Sequence, residues 1–99
     1  MVYLIARATV ADFDAWRTAF DSNDDYRTEH GQRGYQVFRP RDTRDEVVVV
    51  FDWADDRSPV EFFSSPEMRD RMREAGIQGR PEMTLADEVT KMAPAGSSA

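Results

Sequence analysis

Asn23, Arg27 and His30 stand at positions i, i+4 and i+7, a spacing that brings three polar side chains onto one face of a helix. They continue a stripe that begins apolar with Phe13, Trp16 and Phe20, so the face expected to meet a sheet turns polar halfway along. Sharing one pocket, Arg27 would hold an anionic or enolate oxygen, Asn23 would orient it, and His30, the sole His of the chain, would move a proton near neutral pH. The competing account is structural: Arg27 pairs with a neighbouring acid, Asn23 bonds to backbone, and His30 sits at a helix end favoured by the macrodipole. Trp53 and Tyr35, with Phe38, Phe51 and Tyr3, would wall a flat aromatic ligand, although aromatics at strand spacing also serve core and interface. Asp52, between Phe51 and Trp53, is expected to pair with Arg7 or Arg39 across the sheet, the alternative being a catalytic base.

Other chemistries lack their residues. Asp24-Asp25 and Asp55-Asp56 have no His or third carboxylate at a ligand spacing, so no metal site is expected. There is no glycine-rich phosphate loop, no G-x-S-x-G and no CxxC, and no cofactor is expected. Arg69, Arg71 and Arg73 interleave with Asp70 and Glu74, which reads as an exposed, ion-paired helical face. A net charge of -6 and a pI near 4.7 argue against nucleic acid as a partner. The apolar run at the N-terminus is too short for a signal peptide or a membrane span, so no membrane contact and a cytoplasmic location are expected.

Positioning these side chains requires six elements. Residues 2–9 alternate as a first strand, and Asp12 caps a helix expected over 13–30 that Gly31 ends. Residues 34–39 form a second strand, joined by a polar hairpin to a third over 46–53. That third strand, Glu46-Val47-Val48-Val49-Val50-Phe51-Asp52-Trp53, is apolar on both faces. Ser58-Pro59 and Ser65-Pro66 repeat a cap-plus-proline signature, which predicts a helix in two pieces with Val60, Phe63, Met68, Met72 and Ala75 buried and Gly76 as its stop. Met83, Leu85 and Val89 alternate with Glu82, Thr84 and Glu88 in a last strand, and residues 91–99 read as a loose tail after one domain spanning 1–90.

The order βαββαβ predicts an α+β, ferredoxin-like fold: a four-stranded antiparallel sheet with both helices on one face. With 99 residues and no Cys, the chain has helix enough for one face only. The other face is too apolar to stay bare, so a homodimer of facing sheets is expected, against the alternative of a monomer with that face wet.

Residues 10–16, 31–39, 46–53 and 64–69 together resemble the dimeric α+β barrel proteins, and more narrowly the small bacterial branch of antibiotic biosynthesis monooxygenase-like and cyclase-like proteins. The resemblance covers about residues 3 to 89 and implies the barrel dimer; its activities range over oxygenases, haem-degrading enzymes, isomerases and cyclases. It also marks departures. The strand-one Asn of the oxygenases falls among Ala6, Arg7 and Ala8, their pocket Trp on Phe62, and the haem-ligating His on Met72. The two His positions of the cyclase-like branch fall on Ala8 and Asn23. Phe62 thereby joins Phe20, Trp53 and Tyr35 as an expected substrate contact. Two functions follow as expectations: a cofactor-independent enzyme (cyclase, isomerase or monooxygenase-like) acting on an aromatic or polyketide-type molecule, or a non-catalytic barrel that binds a small hydrophobic molecule or serves as a stress or accessory protein.

Overall fold

The computed structural model describes residues 2–92 of the chain. Its elements run β1 (Val2–Val10), α1 (Phe13–Ser22), α2 (Asp24–Glu29), β2 (Gln32–Phe38), β3 (Glu46–Trp53), α3 (Pro59–Ser64), α4 (Pro66–Glu74) and β4 (Ile77–Asp87). The sheet order is β2-β3-β1-β4 with every neighbouring pair antiparallel, the ferredoxin-like α+β arrangement that the element order predicts.

Strand pairing sets which side chains meet the helices. Leu4 lies opposite Phe51, Ala6 opposite Val49 and Ala8 opposite Val47, so the even positions of β1 and the odd positions of β3 share the helix-covered face. All four odd positions of β3 are buried, Trp53 completely. Each such side chain contributes roughly 1.5 to 3 kcal/mol of transfer free energy, an upper figure because the unfolded chain is already partly collapsed. The opposite face carries Tyr3, Ile5, Val48 and Val50, with Ile5 and Phe38 exposed. Among the described residues no helix is long and apolar enough to cross a membrane.

The helices begin as their caps dictate. Asp12 accepts hydrogen bonds from the Asp14 and Ala15 amides, Ser58 from Glu61 and Ser65 from Met68. Pro follows each Ser cap directly, which splits the second helical layer into α3 and α4 as expected. The first layer departs from expectation: the helix over 13–30 is broken at Asn23, whose ψ of 5° ends α1. Its side-chain amide donates to Ala19 O, a local bond that competes with continuation of the helix. Gly31, at φ +123°, leaves α2 where any Cβ would stand 2.5 Å from Trp53 Nε1, so both backbone and space require glycine there.

Three further expectations are corrected. Val60 is exposed rather than buried, because the short α3 turns Pro59, Phe62 and Phe63 inward instead. The last strand begins at Ile77, directly after the positive-φ Gly76, and Val89 lies beyond its end. Between the pairs Thr9↔Gln78 and Arg7↔Glu82, Gly79, Arg80 and Pro81 face Ala8 alone, a bulge that accommodates a proline and a glycine at φ +72° on an edge strand. Asp52 meets neither expected arginine: Arg7 pairs with Glu46 at 2.8 Å, and Arg39 donates to Arg44 O while lying over Phe13. Asp52 Oδ1 is buried without a hydrogen-bond partner. The expected tail lies, from residue 93 onward, outside the described residues.

Candidate functional site

Between the two helical layers and the sheet lies a cavity of about 50 Å³. Phe20, Phe51, Phe63 and Met68 form much of its wall, and its charged or amide side chains are Asn23, Arg27 and Arg71. No acid, His, Lys or Tyr lines it.

Arg27 is 1% exposed, and its burial is made tolerable by a specific set of partners. Its Nε donates to Gln32 Oε1 at 2.7 Å and its Nη1 to the Phe20 carbonyl at 2.9 Å. The break at Asn23 makes that carbonyl available, because the tightened last turn leaves it with only a long 3.3 Å bond from the Asn23 amide. The guanidinium carbon lies 3.7 Å from the Phe20 ring centroid, a cation–π contact in a dry setting. Gln32 is held in turn by Asp24 and Thr28 through its Nε2. Nη2 makes no hydrogen bond; Asp24 Oδ1 stands 3.5 Å from it as a loose ion pair. Burial lowers the Arg27 pKa, opposed by Asp24, Tyr35 and Asp21, and an arginine keeps its charge nonetheless.

Asn23 Oδ1 accepts a 2.7 Å hydrogen bond from Arg71 Nη1, which ties the α1–α2 joint to α4 across the cavity. Arg71 also donates to Glu67 at 3.0 Å and lies over the Tyr26 ring. The Arg71 hydrogen bond, seconded by one from the Tyr26 hydroxyl, holds the Glu67 pKa below the usual carboxylate range. Burial, with the Glu67 charge second, raises that of Tyr26.

Asn23, Arg27 and Phe20 therefore gather at one cavity, whereas the other expected residues sit elsewhere. His30 caps the end of α2 with Nδ1 against Tyr26 O at 2.8 Å, and its ring stacks between Tyr26 and Phe62 outside the cavity wall. Non-helical torsions at Asn23 and at His30 itself take it out of the phase that the i, i+4, i+7 spacing assumed. Trp53 and Phe62 pack on one another at 5.3 Å in the core, and Tyr35 meets the Phe20 ring edge-on at 5.0 Å. Arg71, read from sequence as surface, belongs to the cavity. The signal was present: Met68, Arg71, Met72 and Ala75 follow i, i+3, i+4, i+7, which sets Arg71 within the apolar stripe of α4. Among the described residues no group of three acidic or His side chains is placed to hold a metal ion.

An antiparallel ferredoxin-like sheet with a small apolar cavity under split helices defines the class of small α+β cavity proteins. The chain belongs to the antibiotic biosynthesis monooxygenase family, whose pattern matches residues 1–74. It is similar in fold to SnoaB, a cofactor-independent oxygenase from Streptomyces nogalater, at TM-score 0.73 and 16% identity over 94% of this chain and 97% of that one. A protein of Bordetella bronchiseptica described as an antibiotic biosynthesis monooxygenase superposes at 0.72 with 16% identity, over 90% and 97% of the two chains. One from Deinococcus radiodurans, described alike, superposes at 0.65 with 12% identity, over 97% and 100%. No curated protein matches the sequence.

Proposed function

We propose that this chain is a homodimeric, cytoplasmic, cofactor-independent enzyme that acts on an aromatic or polyketide-type small molecule by stabilising negative charge on one of its oxygens. The observation that carries the reading is Arg27: a fully buried guanidinium in the wall of a largely apolar cavity that no acid lines, with one nitrogen left without a hydrogen bond. A buried, prearranged donor of this kind binds an enolate or phenolate oxygen more strongly than the neutral form, which is the differential binding that lowers a barrier. Asn23 Nδ2 donates one of its two hydrogens to Ala19 O, and the other would supply a second donor. Carbonyl-type cyclisation and isomerisation, and oxygen addition to a phenolate or enolate, start from such an oxyanion. Family membership supports this class of chemistry, and the likeness to SnoaB supports the fold that would host it.

The lining also favours a second reading. With His30 outside the wall and no other base in the cavity, proton transfer from a weak acid has no acceptor side chain there. A substrate that ionises by itself in water would still be activated; a non-catalytic binding protein would use the same cavity without turnover. The deciding experiment compares Arg27→Met with wild type on a panel of hydroxylated aromatic and polyketide-type compounds. The enzyme reading expects turnover to fall about 100-fold or more, the loss typical of an oxyanion donor, with the circular dichroism spectrum retained. Unchanged turnover in a folded Arg27→Met protein removes Arg27 from the chemistry, and binding without any turnover by wild type establishes the second reading.

A further inference from the structure

The cavity beside Arg27 is too small to enclose an aromatic ligand: about 50 Å³ accommodates a few waters, against several hundred for a drug-sized molecule. Adjoining it, between α3–α4 and the edge strand β4, is an open groove of about 690 Å³. The two share Phe63, Met72, Ile77, Pro81 and Met83, so the groove leads to the cavity through a wall of flexible and apolar side chains. The charge of the groove is its distinguishing feature. Arg69, Arg73 and Arg80 line it and no acid does, in a protein whose net charge is -6. Arg73 is engaged by Asp70 at 2.6 Å, whereas Arg69 and Arg80 have no side-chain partner among the described residues. Arg80 is carried by the β4 bulge, in a segment beyond the residues that the family pattern matches.

We infer that the α4–β4 groove is a binding site for an elongated amphipathic anion, its apolar body along Met72, Met83 and Leu85 and its acidic group between Arg69 and Arg80. The inference deepens the function proposed above, because the body of the molecule that presents an oxygen to Arg27 would rest here. A neutral ligand would gain the apolar contacts but leave two guanidinium groups without a counter-charge. A basic one would be repelled by the three arginines that line the groove without an acid among them.

The test uses two fluorescent probes of matched shape, the anion 1-anilinonaphthalene-8-sulfonate and the uncharged N-phenyl-1-naphthylamine, titrated into the full chain. Binding of the anion at least about tenfold tighter, weakened about tenfold by Arg69→Glu with Arg80→Glu, supports the inference, since two exposed charges contribute together on this order. Equal affinity for both probes, or anion binding indifferent to the double reversal, overturns it. Methionine methyl NMR supplies the location: the anion should shift Met72 and Met83, and leaving both unmoved likewise overturns the groove. Both arginines are exposed, so the double variant is expected to fold. Loss of turnover in Arg27→Met alongside unaltered probe binding in the groove variants would sink the groove alone. Charge-selective probe binding beside unchanged turnover in Arg27→Met would sink the oxyanion role alone.

Discussion

Leu4 and Ile5 are consecutive residues of β1 on opposite faces of one sheet: the first is 1% exposed and the second 37%. Strand alternation supplies both faces with apolar side chains, as Val47, Val49, Phe51 and Trp53 against Val48 and Val50 show on β3, yet the helices cover one face only. The covered face holds its polar group, Arg27, through partners within the same chain. The bare face mixes an internal ion pair, Arg7 with Glu46, and a buried Asp52 oxygen lacking a partner with apolar side chains that no helix among the described residues covers. Cohesion of the single chain thus resides on one side of the sheet, and the proposed dimer would draw on the other.

That contrast can be broken in order of expected effect. Leu4→Ala should cost about 2 to 5 kcal/mol in urea unfolding, the range for a fully buried leucine, whereas a cost under 1 kcal/mol would show that the covered face is not the core. Ile5→Asp should leave the fold of the single chain within about 1 kcal/mol of wild type, since the side chain is exposed there. It should also move sedimentation at micromolar concentration from a dimer to the 11.4 kDa chain, and an undisturbed dimer would place the interface elsewhere. The smallest effect is acid-dependent. The Arg7 hydrogen bond, followed by that of Thr43, lowers the Glu46 pKa in the folded state, so the native protein binds fewer protons than the unfolded chain. Its stabilisation is complete above the ordinary carboxylate range and fades as pH falls through the lower folded value. Wild type should therefore lose slightly more melting temperature than Glu46→Gln on acidification from about pH 6 to 3. Parallel losses in the two proteins would show that the pair contributes nothing.

Where period and caps agreed, the chain was legible. The third strand occupies residues 46–53 as read, and the two Ser-Pro signatures divide the second helical layer at the expected place. Reading failed where a side chain competes with the helix for its own backbone. Apolar periodicity around Asn23 does not reveal that its amide bonds Ala19 O, and one such break sends His30 out of the cavity while Arg27 stays in. Arg71 was obscured by the charges beside it, since alternating Arg and Asp read as solvent-facing even where one arginine shares the stripe of Met68 and Met72. The pairing of Asp52 was equally illegible, because Arg7 has an acid of its own nearby in Glu46.

The bulge at Gly79–Arg80–Pro81 has a consequence for how copies of this protein can meet. β4 is an outer strand, and a straight outer strand invites another chain to extend the ladder, the first step of fibre growth. Here three residues stand against one, a proline offers no N–H and an arginine rides on the kink, so a strand arriving edge-on finds a broken template. Concentrated solutions should accordingly stay clear of edge-to-edge polymer along β4.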